Sequence, residues 1–245
     1  MINGIKVNSD QGVPQGGPLS PLLANITLNE ADKEFEEWGY KFVRYADDIL
    51  IFAKNRKAAE RYYQRAKKFL EKELRLKVNE EKSSIQRLNQ TKYLGYGFYK
   101  SKGWHFTAHK SSLKKLKSKL KEATARSNGK GHEFRKIRLN QIIRGWIQYF
   151  KLANMTRHLQ RLDEWLRRRI RMCAWKAWKK VKTRYKYLQM LGIDKYKSWE
   201  WANSRKGYWR VAGSVILTIA LTNERIAKQG YISLLDYYNK VRIKL

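Results

Sequence analysis

Hydrophobic positions along this chain change their period near residue 107. Before that point, short apolar runs at residues 41–45, 49–53, 92–99 and 104–107 have the length and the aromatic and β-branched content of strands. They alternate with stretches 21–38 and 57–76 that carry a helical period. In the second of these, Tyr62, Ala66, Phe69, Leu70 and Leu74 recur at steps of three and four, which places them on one helical face. Leu76, Val78 and Ile85 suggest a return to extended chain. Ser101-Lys102-Gly103, set between two apolar runs, reads as a hairpin turn.

From Ser111 onward the pattern is helical throughout. Leu113, Leu116, Leu120 and Ala123 form a stripe on a lysine-rich helix that Ser111 or Ser112 could cap, and the stretch 127–131 ends it. A second helix is expected over about 134–153 with Ile142, Ile143, Trp146, Tyr149 and Phe150 facing inward. A third, over 157–182, has Leu159, Leu162, Leu166, Ile170 and Cys173 as its stripe. The fold class expected is α+β: mixed sheet and helix over 1–107, a basic helical bundle over 108–182 and a mainly helical tail over 183–245.

Charge sharpens that division. The 245 residues hold 54 Lys+Arg against 21 Asp+Glu, a formal net charge of +33. With 42% hydrophobic and 13% aromatic content the chain can still build a core, so it is a folded basic protein rather than a disordered basic tail. The excess is uneven: 19 basic and 13 acidic residues in 1–107, 23 and 4 in 108–182, 12 and 4 in 183–245. An excess of 19 over the middle segment exceeds what solubility needs and points to a polyanion. On the helical bundle Lys114, Lys115, Lys117, Arg144, Arg167, Arg168, Arg169 and Arg171 are the candidate nucleic-acid-binding cations.

Other classes are excluded by what is scarce. One cysteine, Cys173, rules out a disulfide scaffold, and with four scattered histidines it leaves no set for a structural zinc. The longest apolar stretch, near Val215 to Leu221, is too short to span a bilayer, and residues 1–6 hold no signal core. A cytoplasmic location, as on a nucleoid or in a ribonucleoprotein, follows by default.

The candidate chemistry lies at Tyr45-Ala46-Asp47-Asp48, between apolar runs on either side. Adjacent carboxylates at a hairpin tip repel unless a cation neutralises them, and a divalent metal does so. Taken alone, such a pair is more often a solvated turn. Its surroundings reverse that: Gln11-Gly12-Val13-Pro14-Gln15-Gly16-Gly17-Pro18-Leu19-Ser20-Pro21 upstream, Leu76-Lys77-Val78-Asn79-Glu80-Glu81-Lys82 and Tyr93-Leu94-Gly95-Tyr96 downstream, and Gly145-Trp146-Ile147-Gln148-Tyr149-Phe150 beyond. In order and spacing these blocks resemble the group II intron reverse transcriptase and maturase family, and the resemblance runs along the whole chain.

That resemblance implies an RNA-directed DNA polymerase and intron maturase. Residues 1–107 would be the later part of the palm, 108–182 the thumb or domain X, and 183–245 the maturase tail. It makes Asp47 and Asp48 metal ligands for two-metal nucleotidyl transfer with Mg²⁺ (Mn²⁺ as an alternative) and a dNTP substrate. Lys82 would serve near the triphosphate. Gln15 and Gly16, with Tyr45 and Ala46, would shape the nucleotide and template site, and Tyr93, Leu94, Gly95 and Tyr96 would be the primer-grip hairpin. The partners implied are intron RNA and an RNA/DNA template–primer, and no membrane. Complete family members carry a third metal-binding aspartate many tens of residues before the Pro-Gln-Gly block, where 13 residues precede Pro14. The expectation is therefore a fragment with little polymerase activity alone, open to pairing with an N-terminal fingers/palm piece or with itself through a sheet edge. Two other readings stay open: a non-catalytic RNA-binding splicing cofactor, and a relative of retron or defence-type reverse transcriptases.

Overall fold

In a computed structural model, residues 17–127, 129 and 131–243 are described; Gln15 and Gly16 lie outside them. The chain divides into two compact units, one up to Arg87 and one from Leu88 onward. The class is α+β.

In the first unit, helix α1 (Ser20–Glu37) precedes an antiparallel hairpin of β1 (Lys41–Tyr45) and β2 (Asp48–Phe52), and helix α2 (Arg56–Lys72) follows. Pro21 sits in the first turn of α1, where its missing N–H costs nothing. Asn55 caps α2 through its side-chain oxygen on the N–H of Ala58, at 2.8 Å. The expected face of α2 is the one that packs: Ala66 is buried, and Phe69, Leu70 and Leu74 lie against the core built on Ala31 and Phe35. Tyr62 stacks on Tyr40 with ring centroids 4.0 Å apart. Alternate strand residues face this core, Phe42 and Ile51 as one cross-strand pair and Arg44 and Ile49 as the next. After α2 the chain forms no strand before residue 88; Leu76, Val78 and Ile85 lie in irregular backbone.

The second unit begins with a 3-10 turn (Leu88–Gln90) and a three-stranded antiparallel sheet, β3 (Lys92–Tyr93), β4 (Tyr96–Ser101) and β5 (Gly103–Ala108). Residues 92–99, read from their pattern as one strand, are thus two strands broken by a two-residue turn. Helices α3 (Lys110–Ala123), α4 (His132–Tyr149) and α5 (Thr156–Ala177) follow, and then α6 (Val181–Met190), α7 (Lys195–Ala202), α8 (Tyr208–Ala212), α9 (Val215–Ala220), α10 (Asn223–Lys228) and α11 (Leu234–Val241).

Two cores meet on α5. Its first half joins Leu116 and Leu120 of α3, Leu139, Ile143 and Ile147 of α4, and Ile226, Leu234 and Tyr238 from α10 and α11. Its second half, with Met172, Cys173 and Trp175, joins Leu188, Ala202, Val211, Leu217 and Leu221. Each fully buried aliphatic side chain contributes about 1.5–3 kcal/mol. The chain after residue 183 is therefore part of the body that α3–α5 build, and so is the β3–β5 sheet: the compact division falls at Arg87, ahead of residue 107. Tyr149 departs from its expected inward position and is exposed. The cap of α3 is neither serine: His109 accepts the N–H of Ser111 on Nδ1, at 3.2 Å.

Candidate active site and nucleic-acid interface

Ala46 and Asp47 form the two-residue turn joining β1 to β2, with Tyr45 and Asp48 as the last rung of the ladder. Ala46 has φ 51°, a left-handed conformation that costs a residue with a β-carbon about 1–2 kcal/mol. Arg44 holds the bend. Its Nη1 donates to the Ala46 carbonyl at 3.1 Å and to Asn25 Oδ1 at 3.0 Å, and its Nε donates to both Asp32 carboxylate oxygens at 2.8 and 2.9 Å. Asn25 and Asp32 both belong to α1, so one guanidinium ties that helix to the backbone of the acidic turn. This positioning group was not apparent from the sequence pattern; its signal was an arginine at an inward-facing strand position, where an apolar side chain is expected.

Tyr45, Asp47 and Asp48 are exposed. The two carboxylates are hard oxygen donors of the kind Mg²⁺ takes. Among the described residues, however, no three His, Cys, Asp or Glu side chains come together to hold a metal. The turn suits a divalent ion in donor chemistry and offers it two carboxylates. Lys82 stands in an exposed turn whose backbone N–H donates to Asn79 Oδ1 at 3.2 Å, and it forms no ion pair with Asp47 or Asp48. Lys67 of α2 bonds Glu80 in that turn, and this bond holds the Glu80 carboxyl below its ordinary range.

The second hairpin is built differently. Leu94 and Gly95, with φ 50° and 81°, form the turn between β3 and β4, the double positive φ of a type I′ turn. The Gly95 carbonyl accepts Ser112 Oγ at 2.9 Å and the His109 N–H at 3.0 Å. A β-carbon on Gly95 would come within 3.1 Å of both Phe150 Cζ and Ser112 Oγ. From α4, Tyr149 donates its hydroxyl to the Leu94 carbonyl at 2.9 Å, which explains why that ring lies at the surface, and the Tyr96 hydroxyl donates to the Tyr149 carbonyl. Burial pushes the Tyr96 phenol upward. Tyr93-Leu94-Gly95-Tyr96 is thus clamped between the start of α3 and the end of α4.

The candidate cations separate into two groups. Lys114, Lys115 and Lys117 on α3 and Arg144 on α4 are exposed, with Lys117 Nζ 5.3 Å from the centre of the Trp165 ring. The four candidate arginines of α5 are engaged by the fold. Arg169 donates to the Thr124 hydroxyl and carbonyl and to the Lys121 carbonyl, closing the end of α3. Buried Arg171 donates to the Leu221 carbonyl at 2.8 Å and to Asn223 Oδ1 at 3.0 Å. Arg168 donates to the Trp209 carbonyl at 2.9 Å and lies 4.2 Å from the centre of that ring. It passes so close to Gly213 that a β-carbon there would stand 2.6 Å from the guanidinium. Arg167 lies 4.0 Å from Asp163, a buried carboxylate that accepts Ser233 Oγ and the N–H groups of Leu234 and Leu235 and so caps α11. Arg168, Arg169 and Arg171, expected on a nucleic-acid face, make these bonds to helix ends because unpaired carbonyls there are costly to bury. No helix among the described residues is long and apolar enough to cross a membrane.

Comparison with known proteins gives two family matches in chain order. Residues 2–98 match the reverse transcriptase (RNA-dependent DNA polymerase) family, and residues 113–192 match the group II intron, maturase-specific domain. Three curated proteins are similar. Protein YkfC of Escherichia coli (strain K12) is 31% identical over 33% of this chain and 30% of its own length. Retron Mx65 reverse transcriptase of Myxococcus xanthus is 35% identical over 30% and 18%, and Retron Ec73 reverse transcriptase of Escherichia coli 29% identical over 49% and 40%. The chain spans less than half the length of each.

Proposed function

Because the chain belongs, by its two segments, with the group II intron-like reverse transcriptases and maturases, we propose that it binds intron RNA and template–primer and presents Asp47 and Asp48 for metal-dependent nucleotidyl transfer. The observation that carries this reading is the β1–β2 turn, which exposes both carboxylates at a bend fixed by Arg44. Mg²⁺ bound to those carboxylates supplies charge neutralisation for attack of a primer 3′-hydroxyl on a dNTP. Arg44, held by Asn25 and Asp32, keeps the turn in place. Lys82 meets the triphosphate, and the clamped turn at Leu94-Gly95 guides the primer strand. The α3 lysines and Arg144 follow phosphates without reading sequence. The setting is an intron ribonucleoprotein in the cytoplasm.

With two carboxylates gathered among the described residues, the chain by itself is expected to extend a primer poorly. Primer extension with Mg²⁺ on an RNA template, with and without Asp47→Ala, tests this alongside RNA binding as a function of salt. Expected are extension near background for both proteins and an RNA affinity that falls steeply with salt. Strong extension abolished by Asp47→Ala would overturn the low activity and keep the site; absence of salt-dependent RNA binding would overturn the reading as a whole. A non-catalytic splicing cofactor is the second reading. It is favoured by the finding that no three metal-binding side chains gather among the described residues, together with the maturase-specific match.

A further inference from the structure

Helices α6 and α7 form a hairpin whose inner side is settled. Arg184 of α6 donates to the Trp178 carbonyl at 3.0 Å and the Ala202 carbonyl at 3.4 Å, and lies 4.6 Å from the centre of the Trp175 ring. Leu188, Ser198 and Ala202 are fully buried, and Ser198 Oγ donates to the Ile193 carbonyl at 3.1 Å. On α7 the fully buried positions are thus two small side chains one turn apart, with Trp201 beside them packed against the same core. The opposite face carries Tyr196 and Trp199, also one turn apart, 77% and 64% exposed. Neither ring packs against another aromatic or a cation among the described residues.

The surroundings are strongly basic. Residues 179–210 hold ten Lys and Arg against Asp194 and Glu200, and Lys195 and Lys197, both exposed, flank Tyr196 in sequence. Side chains at i and i+3 have β-carbons about 5–6 Å apart, so the two rings offer successive flat faces along one line. Paired bases in a duplex keep their faces against one another; unpaired bases do not, and planar side chains in a basic setting take them up without regard to sequence. A membrane-surface helix would need a broad apolar face, whereas here Glu200 and Asn203 share the face with the rings.

We infer that Tyr196 and Trp199 are a stacking platform for unpaired bases of bound RNA, with Lys195 and Lys197 on the adjoining phosphates. This site is separate from the lysines of α3, and it rests on the RNA-binding reading above. The test uses the full chain at about 150 mM salt, with an unstructured 20-nucleotide RNA and a blunt 20-base-pair RNA duplex as probes. Tyr196→Ala with Trp199→Ala should weaken binding of the single strand about 10–100-fold, while duplex binding stays within about twofold and the melting temperature is unchanged. Tyr196→Phe with Trp199→Phe should retain most of the single-strand affinity. Equal loss on both probes, no loss on either, or loss with the phenylalanine pair equal to that with alanine would overturn the platform and leave RNA binding standing. Binding to anionic vesicles that the alanine pair abolishes would overturn it in favour of a membrane surface. If the unaltered chain binds neither RNA, the parent reading fails first.

Discussion

Helices α3 and α5 carry the same kind of charge in similar density and use it in opposite ways. On α3, Lys114 and Lys115 stand in solvent on the far side of the Leu116 and Leu120 stripe, and Lys117 is exposed beside it, near the Trp165 ring. On α5, Arg168, Arg169 and Arg171 donate to carbonyls on other elements, at Trp209, at Lys121 and Thr124, and at Leu221. The difference follows from the side chains. A guanidinium is planar, delocalised and weakly hydrated, with five donors that can meet several acceptors at once, whereas an ammonium keeps its water. The two helices therefore use their charge differently: Arg168, Arg169 and Arg171 of α5 join the second unit together, and the α3 lysines, with Arg144 of α4, remain for a partner. Charge that determines stability and charge that determines binding should then be separable by mutation.

Arg171→Ala is the largest single effect expected. It removes a buried guanidinium and leaves the Leu221 carbonyl and Asn223 without their donor, at a cost of about 3 kcal/mol. At about 2–4 °C per kcal/mol for a chain of this size, thermal melting should fall by roughly 6–12 °C. RNA affinity measured well below the new midpoint should stay within about twofold. A variant that melts normally but binds tenfold more weakly would show that Arg171 belongs with the lysines and break the comparison.

The lysines are expected to give the converse result. Replacing Lys114, Lys115 and Lys117 together by Gln removes three exposed charges, no hydrogen bond between elements and one long cation–π contact, that of Lys117 with Trp165, so the melting midpoint should move by less than about 2 °C. Binding should weaken about tenfold near physiological salt. The slope of log affinity against log salt should become shallower by about 2–3, close to one for each phosphate that the protein no longer neutralises. An unchanged slope would mean that these lysines are only a solvated helix face.

Much of this arrangement could be read in advance. The hairpin around Asp47 and the stripes of α2, α3 and α5 were legible because periods of two and of three to four are imposed by burial, and burial is what the hydrophobic pattern records. The turn at Leu94-Gly95 was hidden from the pattern inside an apolar run, since two residues are too few to disturb a period and only the glycine signalled a positive φ; the family resemblance, which makes Tyr93 to Tyr96 the primer-grip hairpin, is what implied it. The roles of the α5 arginines were hidden for another reason, since composition does not say which guanidinium meets a carbonyl. Spacing held a clue. Arg169 lies three residues after Leu166 and four before Cys173, and Arg171 four before Trp175, positions that continue the inward face. Arg44 carried the same signal within a strand. Cations spaced as core residues should be assigned to the fold before they are assigned to a ligand.

One group on the α3 side refines the contrast, because it supports the fold only when uncharged. His109 caps α3 by accepting the Ser111 N–H on Nδ1, a role its protonated ring cannot perform. Burial, with Lys92 and Lys110 adding to it, holds the imidazole below its ordinary value of 6.5. The unfolded chain therefore takes up this proton at a higher pH than the folded one. The stabilisation is complete above about 6.5 and is lost as pH falls below it towards the folded value. The expected effect is the smallest of the three: a modest decline in melting temperature between pH 7 and pH 5.5, flattened in His109→Asn, since Asn caps without titrating. The lysine triple variant should follow the same pH curve as the unaltered chain. If it flattened the curve instead, the α3 lysines would themselves be coupled to the fold, and the division between the two kinds of charge would not hold at the end of the helix where they meet.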